Sequence, residues 1–312
     1  MALEHTRPHL ASLRHPRANS FGLVAPRRVP RSGLVAHAAK RQSAAAALYC
    51  RCVSESRRRP LPPFALVRRP AASLADGCVS FIERQPVDVE LARRQWLAYV
   101  DLLQGQGWPT LEVEPDDTLP DSVFIEDAVV MFGELAVITN PAEPARHPEI
   151  VAAAEAMRQL GYESAHLTRG TLDGGDVLKV GQTAYVGLSA RTSRAAVGQL
   201  RKLLAPRGWT VVGVPLTKVL HLKSAVTALP DGTVIGYRPL VDDVTVFETF
   251  LDVPEEGGAH VVVLDDATVL MSARAPRSAE LLRARGLAVV TTDISEFEKL
   301  EGCVTCLSVR IR

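Results

Sequence analysis

The sequence predicts an α/β domain built from a repeated supersecondary unit. Pairs of turn-forming residues recur between short β-rich segments, and a segment with helical periodicity follows each of these hairpins. The first two hairpin centres lie roughly 50 residues apart, a period typical of repeated blades. The chain has 312 residues, of which 47% are hydrophobic and 23% charged, so it can bury one large core or two smaller ones.

Four hairpins are predicted from their turn residues. Each has two β-rich runs on either side of a pair that suits a tight turn: Gly133-Glu134, Gly181-Gln182, Asp231-Gly232 and Asp265-Asp266. The predicted hairpins cover residues 128–139, 177–186, 225–235 and 261–271.

Helices are expected after the hairpins. Pro148 and Pro276 suit a first helical turn, where the missing N–H is not needed. Residues 210–214 and 287–290 then resemble single returning strands, so the repeated unit is ββαβ. The predicted helices cover residues 148–160, 192–204, 241–251 and 276–285.

The two ends of the domain supply a fifth unit. Residues 64–68 and 305–311 resemble strands, and residues 89–103 have a helical apolar stripe. Pairing the first strand with the last would close a ring and remove exposed sheet edges. A doubly wound open sheet fits the periodicity nearly as well, and both architectures stay open at this point.

Charge divides the chain into two parts. Residues 1–63 contain 12 Lys and Arg but only two acidic residues, and are rich in Ala, Pro and Ser, which predicts a disordered basic arm. A targeting segment and a wrong translation start both fit this composition. Residues 64–312, the predicted folded domain, contain 24 basic and 33 acidic residues, which argues against nucleic acid and is compatible with a small cationic substrate.

Neither a membrane nor an oxidising compartment is expected. No stretch approaches the roughly 18 uninterrupted apolar residues of a membrane span, which predicts a soluble protein. The five cysteines are odd in number and no secretory signal precedes them, which predicts reduced thiols in the cytoplasm. A homo-oligomer is allowed by the sequence.

Cys306, in a strand-like segment, would usually be a small buried apolar residue, and a role as nucleophile requires a base nearby. Cys303 makes a C-x-x-C motif with it, but Val304 and Thr305 lie between the thiols where redox motifs usually have Gly or Pro. A zinc site would need about four ligands, and the domain has no second Cys/His pair. The redox and zinc interpretations are both weak.

Other polar residues could form a site. His221 enters a predicted core strand, so its ring could reach a site at the strand end, although a lone histidine there is usually structural. The acidic segments 121–127 and 173–176 precede two hairpins, and carboxylates match a planar guanidinium. Arg146 and Arg191 lie beside hairpin exits and could bind a carboxylate, although each acidic or basic group alone would pass as surface charge.

Several motifs in one order resemble the dimethylarginine dimethylaminohydrolase family over about residues 64–312. The motifs are Leu-Pro-Asp at 119–121, Phe-Ile-Glu-Asp at 124–127, Leu-Asp-Gly-Gly-Asp-Val-Leu at 172–178, Gly-Leu-Ser-Ala-Arg-Thr at 187–192, His-Leu-Lys-Ser at 221–224 and Thr-Cys at 305–306. The resemblance implies a pentein fold, a closed five-bladed α/β propeller of ββαβ pseudo-repeats. It also implies a place in arginine metabolism and nitric oxide regulation, and hydrolysis of dimethylarginine or monomethylarginine to citrulline and an alkylamine without metal or cofactor.

Residue roles follow from the resemblance. Cys306 matches the nucleophile, His221 the general acid/base and Asp173 the carboxylate that orients the imidazole. Residues 74–80 occupy the place of the family's mobile lid. The substrate-binding residues implied are Asp127, which grips the guanidinium, and its neighbour Glu126; Asp121 for the substrate amine; Arg146 and Arg191 for its carboxylate; and Val79 and Leu300.

The chemistry agrees with these roles. A guanidinium carbon is a poor electrophile, so a thiolate is required, and the cationic substrate should itself lower the thiol pKa. Arginine deiminases carry an Asp two residues after the histidine, where this sequence has Lys223, which favours a methylated substrate. The alternatives are an arginine deiminase, a catalytically silent binding protein and a thiol redox protein.

The sequence departs from the usual family pattern in two places. The basic arm has no counterpart there, and Cys303 is an extra thiol near the nucleophile. The spacing of Cys303 and Cys306 raises the hypothesis that a disulfide between them switches activity off.

Overall fold

The computed structural model describes residues 62–312. Within this range, fifteen strands form five three-stranded sheets. The predicted basic arm lies outside the described residues except for its last two positions. The strands are β1 (Phe64–Val67), β2 (Thr110–Glu112), β3 (Val129–Phe132), β4 (Leu135–Ile138), β5 (Glu163–His166), β6 (Val177–Val180), β7 (Thr183–Leu188), β8 (Thr210–Pro215), β9 (Val226–Ala228), β10 (Val234–Gly236), β11 (Phe250–Asp252), β12 (Val261–Val263), β13 (Thr268–Ser272), β14 (Ala288–Thr292) and β15 (Val309–Ile311).

Helices connect and flank these strands. The α-helices are α1 (Val89–Gly105), α2 (Glu149–Gln159), α3 (Arg194–Leu204), α4 (Leu222–Ala225), α5 (Pro276–Ala284) and α6 (Ser295–Glu298). Short 3-10 turns occur at Leu74–Asp76, Ile125–Asp127, Pro144–Arg146, Gly174–Asp176, Ala205–Arg207, Arg238–Leu240, Val244–Val246 and Glu256–Ala259.

Every sheet has the same topology. In the second sheet, β3 pairs antiparallel with β4, and β4 pairs parallel with β5 after the crossover through α2. The units β6–β8, β9–β11 and β12–β14 repeat this order. All four predicted hairpins are therefore confirmed, together with the helices near 148–160, 192–204 and 276–285.

The two ends of the domain complete the fifth sheet. β15 pairs antiparallel with β1, with Leu66 opposite Val309, and β1 pairs parallel with β2 after the crossover through α1. The strands β3, β6, β9, β12 and β15 all contribute walls to one central channel of about 450 Å³. A channel shared by all five sheets requires a closed ring, so the ring is confirmed and the open sheet is excluded.

Amphipathic helices cover the outside of the sheets. On α3 the buried residues Ala196, Val197, Leu200 and Leu204 recur at helical spacing, and Ser193 caps the helix by accepting a hydrogen bond from the backbone N–H of Ala196 at 3.3 Å. This face packs into the same apolar cluster as Val186 and Val211 of β7 and β8. Burial of such a stripe stabilises the helix against its own sheet.

Three local predictions are wrong. Residues 241–251 do not form a helix, because five of the eleven residues are β-branched and the Asp243 carboxylate accepts hydrogen bonds from Thr245 N and Oγ1 at 2.8 and 2.6 Å, which stabilises a turn instead. His221 does not enter a strand but immediately precedes α4. Of 305–311 only Val309–Ile311 is a strand, and Cys306 lies in the preceding turn.

Within residues 62–312, no helix has the length and apolar character needed to span a membrane.

Tyr99 joins α1 to the turn that carries Cys306. Its side chain is fully buried, and its hydroxyl lies 3.0 Å from Val304 O, to which it donates, and 2.7 Å from Ser308 Oγ. We expect Tyr99→Phe to lower the free energy of unfolding by about 1–2 kcal/mol, because the buried carbonyl loses its partner. Denaturant titration measures this, with Tyr162→Phe on the half-buried Tyr162 as control; equal effects of the two variants would contradict the prediction.

Candidate active site

Cys306 is held in a tight turn between α6 and β15. The backbone N–H of Cys306 donates to Cys303 O at 3.1 Å, and Cys306 O accepts from Glu126 N at 3.3 Å. The residue is 7% exposed. The nucleophile candidate is therefore fixed by backbone bonds to its own turn and to the turn Ile125–Asp127 of the neighbouring unit.

Cys306 lines a small cavity of about 20 Å³ together with His221. The remaining wall residues come from several units of the ring, so residues far apart in sequence meet here. They are Cys78, Asp121, Phe124, Asp127, Arg146, Arg191, Leu220, Leu300, Glu301 and Gly302. Seven of the ten site residues predicted from sequence line this cavity.

Asp173 lies behind the cavity and holds the imidazole of His221. Asp173 Oδ2 is 3.1 Å from His221 Nε2, and Nδ1 of the same ring is 3.9 Å from Asp127 Oδ1. Gly175 is required here, because a Cβ at that position would lie 2.5 Å from His221 Nδ1. The Gly-Gly pair of the sequence motif therefore makes room for the imidazole as well as forming a turn.

Neighbouring carboxylates control the charge of His221. Burial alone would lower its pKa, but Asp127, the hydrogen bond to Asp173 and the nearby Asp176 together raise the pKa to about 9. The imidazole is consequently protonated at neutral pH and can donate a proton from Nδ1 while Asp173 holds Nε2.

Asp127 is an ionised carboxylate in the centre of the site. Its Oδ2 accepts from Arg146 NH1 at 2.9 Å, and its Oδ1 accepts from Gly175 N at 2.8 Å. Burial would raise its pKa, but the charges of His221 and Arg146 and these hydrogen bonds lower it to about 2. It therefore stays negative throughout the physiological pH range.

Arg146 was predicted to bind a substrate carboxylate, but most of its donors are already bonded within the protein. Its guanidinium donates to Glu149 through Nε and NH2, at 3.2 and 2.9 Å, in addition to Asp127. Sequence reasoning missed Glu149, although its position three residues after Arg146, across the start of α2, was a signal for such a pair. Burial raises the pKa of Glu149 to about 7 despite the Arg146 charge.

Arg191 is the more available of the two arginines. It lines the cavity, with NH1 3.9 Å from Asp173 Oδ2 and NH2 donating to Ser80 Oγ at 3.2 Å. One exposed hydroxyl is a weak partner, so this guanidinium keeps donors for a ligand carboxylate.

Residues 77–81 close the cavity. The carboxylate of Asp121 accepts from Cys78 N at 3.1 Å through both oxygens, and Glu301 accepts from Ser80 N and Phe81 N at 2.6 and 2.7 Å. Sites for small molecules usually enclose about 300–1,000 Å³, so a cavity of about 20 Å³ is a closed state. An arginine-sized ligand requires this segment to move.

Two predicted site residues lie elsewhere. Glu126 faces the central channel, where its Oε1 binds Lys223 Nζ at 2.6 Å and Arg310 NH2 at 3.3 Å. Val79 packs against the apolar cluster of α1, and its neighbour Cys78 lines the cavity instead. Lys223 likewise faces the channel.

Asp176, which the sequence placed in the acidic segment 173–176 without a role of its own, positions the histidine. Its Oδ1 accepts from Leu222 N at 2.9 Å, at the first residue of α4, and its Oδ2 accepts from Ser189 Oγ at 2.9 Å. The start of α4, and with it His221, is therefore fixed by the second acid of the Gly-Gly motif.

The thiol of Cys306 contacts a second thiol. Cys303 Sγ lies 3.3 Å from Cys306 Sγ. Contact with Cys303 and burial raise the pKa of Cys306 well above its ordinary value, whereas the same contact lowers the pKa of Cys303 to about 5. Because the two sulfurs are in contact, these two shifts describe one coupled pair of thiols, in which the loss of a second proton is opposed.

Oxygen and nitrogen atoms of Asp127, Asp173 and His221 lie within 4.8 Å of one another, a spacing that would suit a metal ion. Both oxygens of Asp127 already have partners in Arg146 and Gly175, and Asp173 Oδ2 binds the imidazole, whereas the buried Asp173 Oδ1 has no hydrogen-bond partner within residues 62–312. Asp127, Asp173 and His221 therefore form an acid/base group whose members hold one another.

Comparison with known proteins gives a consistent result. Residues 117–257 match the family model described as arginine deiminase. The chain is 57% identical over 249 residues to the N(G),N(G)-dimethylarginine dimethylaminohydrolase of Streptomyces coelicolor, covering 80% of this chain and 96% of that one. It is 33% identical over 250 residues to the Pseudomonas aeruginosa protein of the same name, covering 78% of this chain and 98% of that one.

Solved structures give the same result. A histidine variant of dimethylarginine dimethylaminohydrolase, as its adduct with S-methyl-L-thiocitrulline, has a TM-score of 0.75 and 30% identity, covering 80% of this chain and 99% of that one. A cysteine variant of the Pseudomonas aeruginosa enzyme complexed with citrulline has a TM-score of 0.74 and 30% identity, covering 80% and 98%.

Glu301 holds the closing segment. We expect Glu301→Ala to speed hydrogen exchange of the Ser80 and Phe81 amides by at least about tenfold, because both lose their acceptor. Mass spectrometry of the peptide containing these amides measures the rate. Glu298→Ala is the matched control, because Glu298 binds Ser272 and Arg274 instead; unchanged exchange in Glu301→Ala would contradict the role of Glu301.

The raised pKa of His221 predicts a pH-dependent stability. Between the ordinary value of 6.5 and the folded value of about 9, the folded state holds a proton that the unfolded state releases, so stability falls as pH rises through this window. Below pH 6.5, protonation of His221 contributes about 3 kcal/mol to the free energy of unfolding. Denaturant titrations at pH 6.5 and 9 should show a smaller fall for His221→Gln than for wild type.

The exposed His166 provides the control for that measurement. His166→Gln should keep the wild-type fall in stability between pH 6.5 and 9. Equal falls for wild type and His221→Gln would show that the imidazole is not protonated in the folded state.

Proposed function

The chain belongs to the dimethylarginine dimethylaminohydrolase family, and from this premise we propose that it hydrolyses asymmetric dimethylarginine and monomethylarginine to citrulline and dimethylamine or methylamine. One observation carries the proposal: Cys306 and His221 line the same closed cavity as the ionised Asp127. A nucleophile, a proton donor and an anion that attracts a guanidinium are the three groups that this reaction needs.

Binding of the substrate cation prepares the nucleophile. The thiol of Cys306 is protonated in the closed, empty site because Cys303, burial and the charges of Glu126 and Asp127 oppose its ionisation. A guanidinium placed against Asp127 adds a positive charge beside the sulfur and reverses part of this effect. The reactive thiolate is therefore generated mainly when substrate is present.

Cys306 and His221 then carry the reaction in two halves. The thiolate adds to the guanidinium carbon, and the alkylamine leaves with a proton from His221, whose Nε2 is held by Asp173. Water adds to the resulting S-alkylthiouronium as His221 takes a proton, and the C–S bond breaks to release citrulline and the thiolate. One imidazole serves as acid and then as base.

The amino acid end of the substrate is bound at the closing segment. Arg191 supplies donors for the carboxylate, and Asp121 attracts the ammonium group. Arg146 supports the carboxylate side while holding Asp127 in place. Asp121 also accepts a hydrogen bond from Cys78 N. The same carboxylate therefore holds both the substrate ammonium group and residues 77–81.

The position after His221 favours a methylated guanidinium. Lys223 lies two residues after the histidine, and its ammonium group is bound to Glu126 in the channel. Position 223 therefore offers no carboxylate to the distal nitrogens of the substrate guanidinium. Methyl groups on those nitrogens then leave no buried carboxylate without a hydrogen-bond donor. Arginine deiminase is the alternative activity, supported by the family model matched over residues 117–257.

We also propose a cytoplasmic location. Cys78, Cys303 and Cys306 are all unpaired thiols among the described residues, as expected in a reducing compartment. Two predictions from the sequence stay predictions: that the basic arm is disordered, and that the chain can associate into a homo-oligomer.

Citrulline formation by the full chain tests the proposal. We expect turnover of dimethylarginine to exceed that of arginine, and Cys306→Ser to lower kcat at least about a thousandfold because the nucleophile is lost. Cys52→Ser, in the predicted arm, is the matched control and should behave as wild type.

Two outcomes would count against the proposal. Faster citrulline and ammonia formation from arginine than from dimethylarginine would favour the deiminase. Full turnover by Cys306→Ser would remove Cys306 from the mechanism.

A further inference from the structure

Cys303 has no role in the proposed reaction, although its sulfur contacts the nucleophile. The two sulfurs are 3.3 Å apart, and both residues are buried, at 4% and 7% exposure. The backbone bond from Cys306 N to Cys303 O holds the two residues in one turn. Two thiols fixed at van der Waals contact are already close to the geometry of a covalent pair.

Cys303 faces a second cavity that Cys306 does not line. This cavity has a volume of about 540 Å³ and lies against Glu301 and Gly302, which also line the closed cavity of the active site. Its other walls include His260, Ser224 and Arg274. A small solute in this second cavity would meet the wall that contains Cys303 without entering the cavity of the active site.

We propose that Cys303 and Cys306 form a modification site at which hydrogen peroxide oxidises the two thiols to a disulfide and reversibly stops catalysis. The readout of catalysis rests on the function proposed above, whereas the covalent change does not. A single buried cysteine would be an ordinary packing residue. Contact with the nucleophile and access from a separate cavity distinguish Cys303.

The chemistry proceeds in two balanced steps. The thiolate of Cys303 attacks a peroxide oxygen, the O–O bond breaks, and the leaving hydroxide takes a proton to become water, which leaves Cys303 as a sulfenic acid. The sulfur of Cys306 then attacks Cys303, the S–O bond breaks, and a second water leaves with the thiol proton. The two sulfurs together lose two electrons, which reduce the peroxide to water.

The structure favours Cys303 as the thiol that reacts first. Its pKa is lowered to about 5 by contact with Cys306 and by the charge of His260 and the hydroxyl of Thr305, despite burial, so it is ionised at neutral pH. Closing the bond requires the sulfurs to approach from 3.3 Å to about 2.05 Å. A change of this size needs only rotation of the two side chains and a small adjustment of the turn.

Trypsin places both thiols in one peptide, residues 300–310, because Lys299 and Arg310 are adjacent cleavage sites. Full-chain wild type treated with hydrogen peroxide should give this peptide with a loss of about 2 Da, for the two hydrogens removed. Dithiothreitol should restore both the original mass and citrulline formation. The mass change is measured independently of turnover, so it tests this proposal even if the substrate assignment fails.

Substitution of Cys303 provides the decisive comparison. Cys303→Ser and Cys303→Ala should show no loss of 2 Da and should be inactivated by peroxide at least about fivefold more slowly, because the more readily ionised thiol is gone while burial and the charges of Glu126 and Asp127 still oppose ionisation of Cys306. Two variants are used so that the comparison can still be made if one of them fails to fold. Cys52→Ser should behave as wild type.

Two results would overturn the proposal. One is peroxide inactivation of wild type with added oxygen on Cys306 and no cross-linked peptide. The other is equal inactivation rates in wild type and both Cys303 variants.

Discussion

The buried carboxylate of Asp127 joins three successive units of the ring at one point. It comes from the turn before β3, accepts from the backbone of Gly175 before β6, and faces His221 before α4. Arg146, returning from β4, balances its charge. A buried carboxylate without such partners would become protonated, so the ion pairs and the ring geometry depend on each other.

The same arrangement determines which groups carry charge at rest. Asp127 stays ionised, His221 stays protonated and Cys306 keeps its proton. The empty site therefore disfavours the reactive thiolate form of Cys306. A bound cationic ligand stabilises the thiolate and removes part of this cost. The charge of the bound substrate thus makes Cys306 reactive, and residues 77–81 exclude water from the same site.

Much of the architecture could be predicted from residues 64–312. Turn chemistry located the four hairpins, because tight turns have specific local requirements, and Gly133-Glu134 and Gly181-Gln182 form two-residue turns. The segment 241–251 was misjudged because its apolar spacing resembles a helix, whereas the bonds from Asp243 to Thr245 favour a turn. Ring closure needed more than periodicity, since β1 and β15 are distant in sequence, and it is shown by their pairing together with the channel that all five sheets line.

The site was predicted mainly from motifs, and the errors have physical causes. Glu126 adjoins Asp127 in sequence, but consecutive side chains of a turn point in different directions, and Lys223 and Arg310 draw Glu126 to the channel. Glu149 and Asp176 were overlooked because they act on other side chains and backbone. The contact between Cys303 and Cys306, which their spacing suggested, follows from a shared turn that replaces the first part of the strand predicted for 305–311.

The pairing of β1 with β15 also affects how the protein is made. The first sheet combines Phe64–Val67 with Val309–Ile311, so it cannot form during synthesis until nearly the whole described domain has left the ribosome. Cys306 lies three residues before Val309, the first residue of β15. A nascent chain therefore lacks the nucleophile until its last blade is completed, and β1 waits with an unpaired edge that a chaperone or a neighbouring polypeptide can bind.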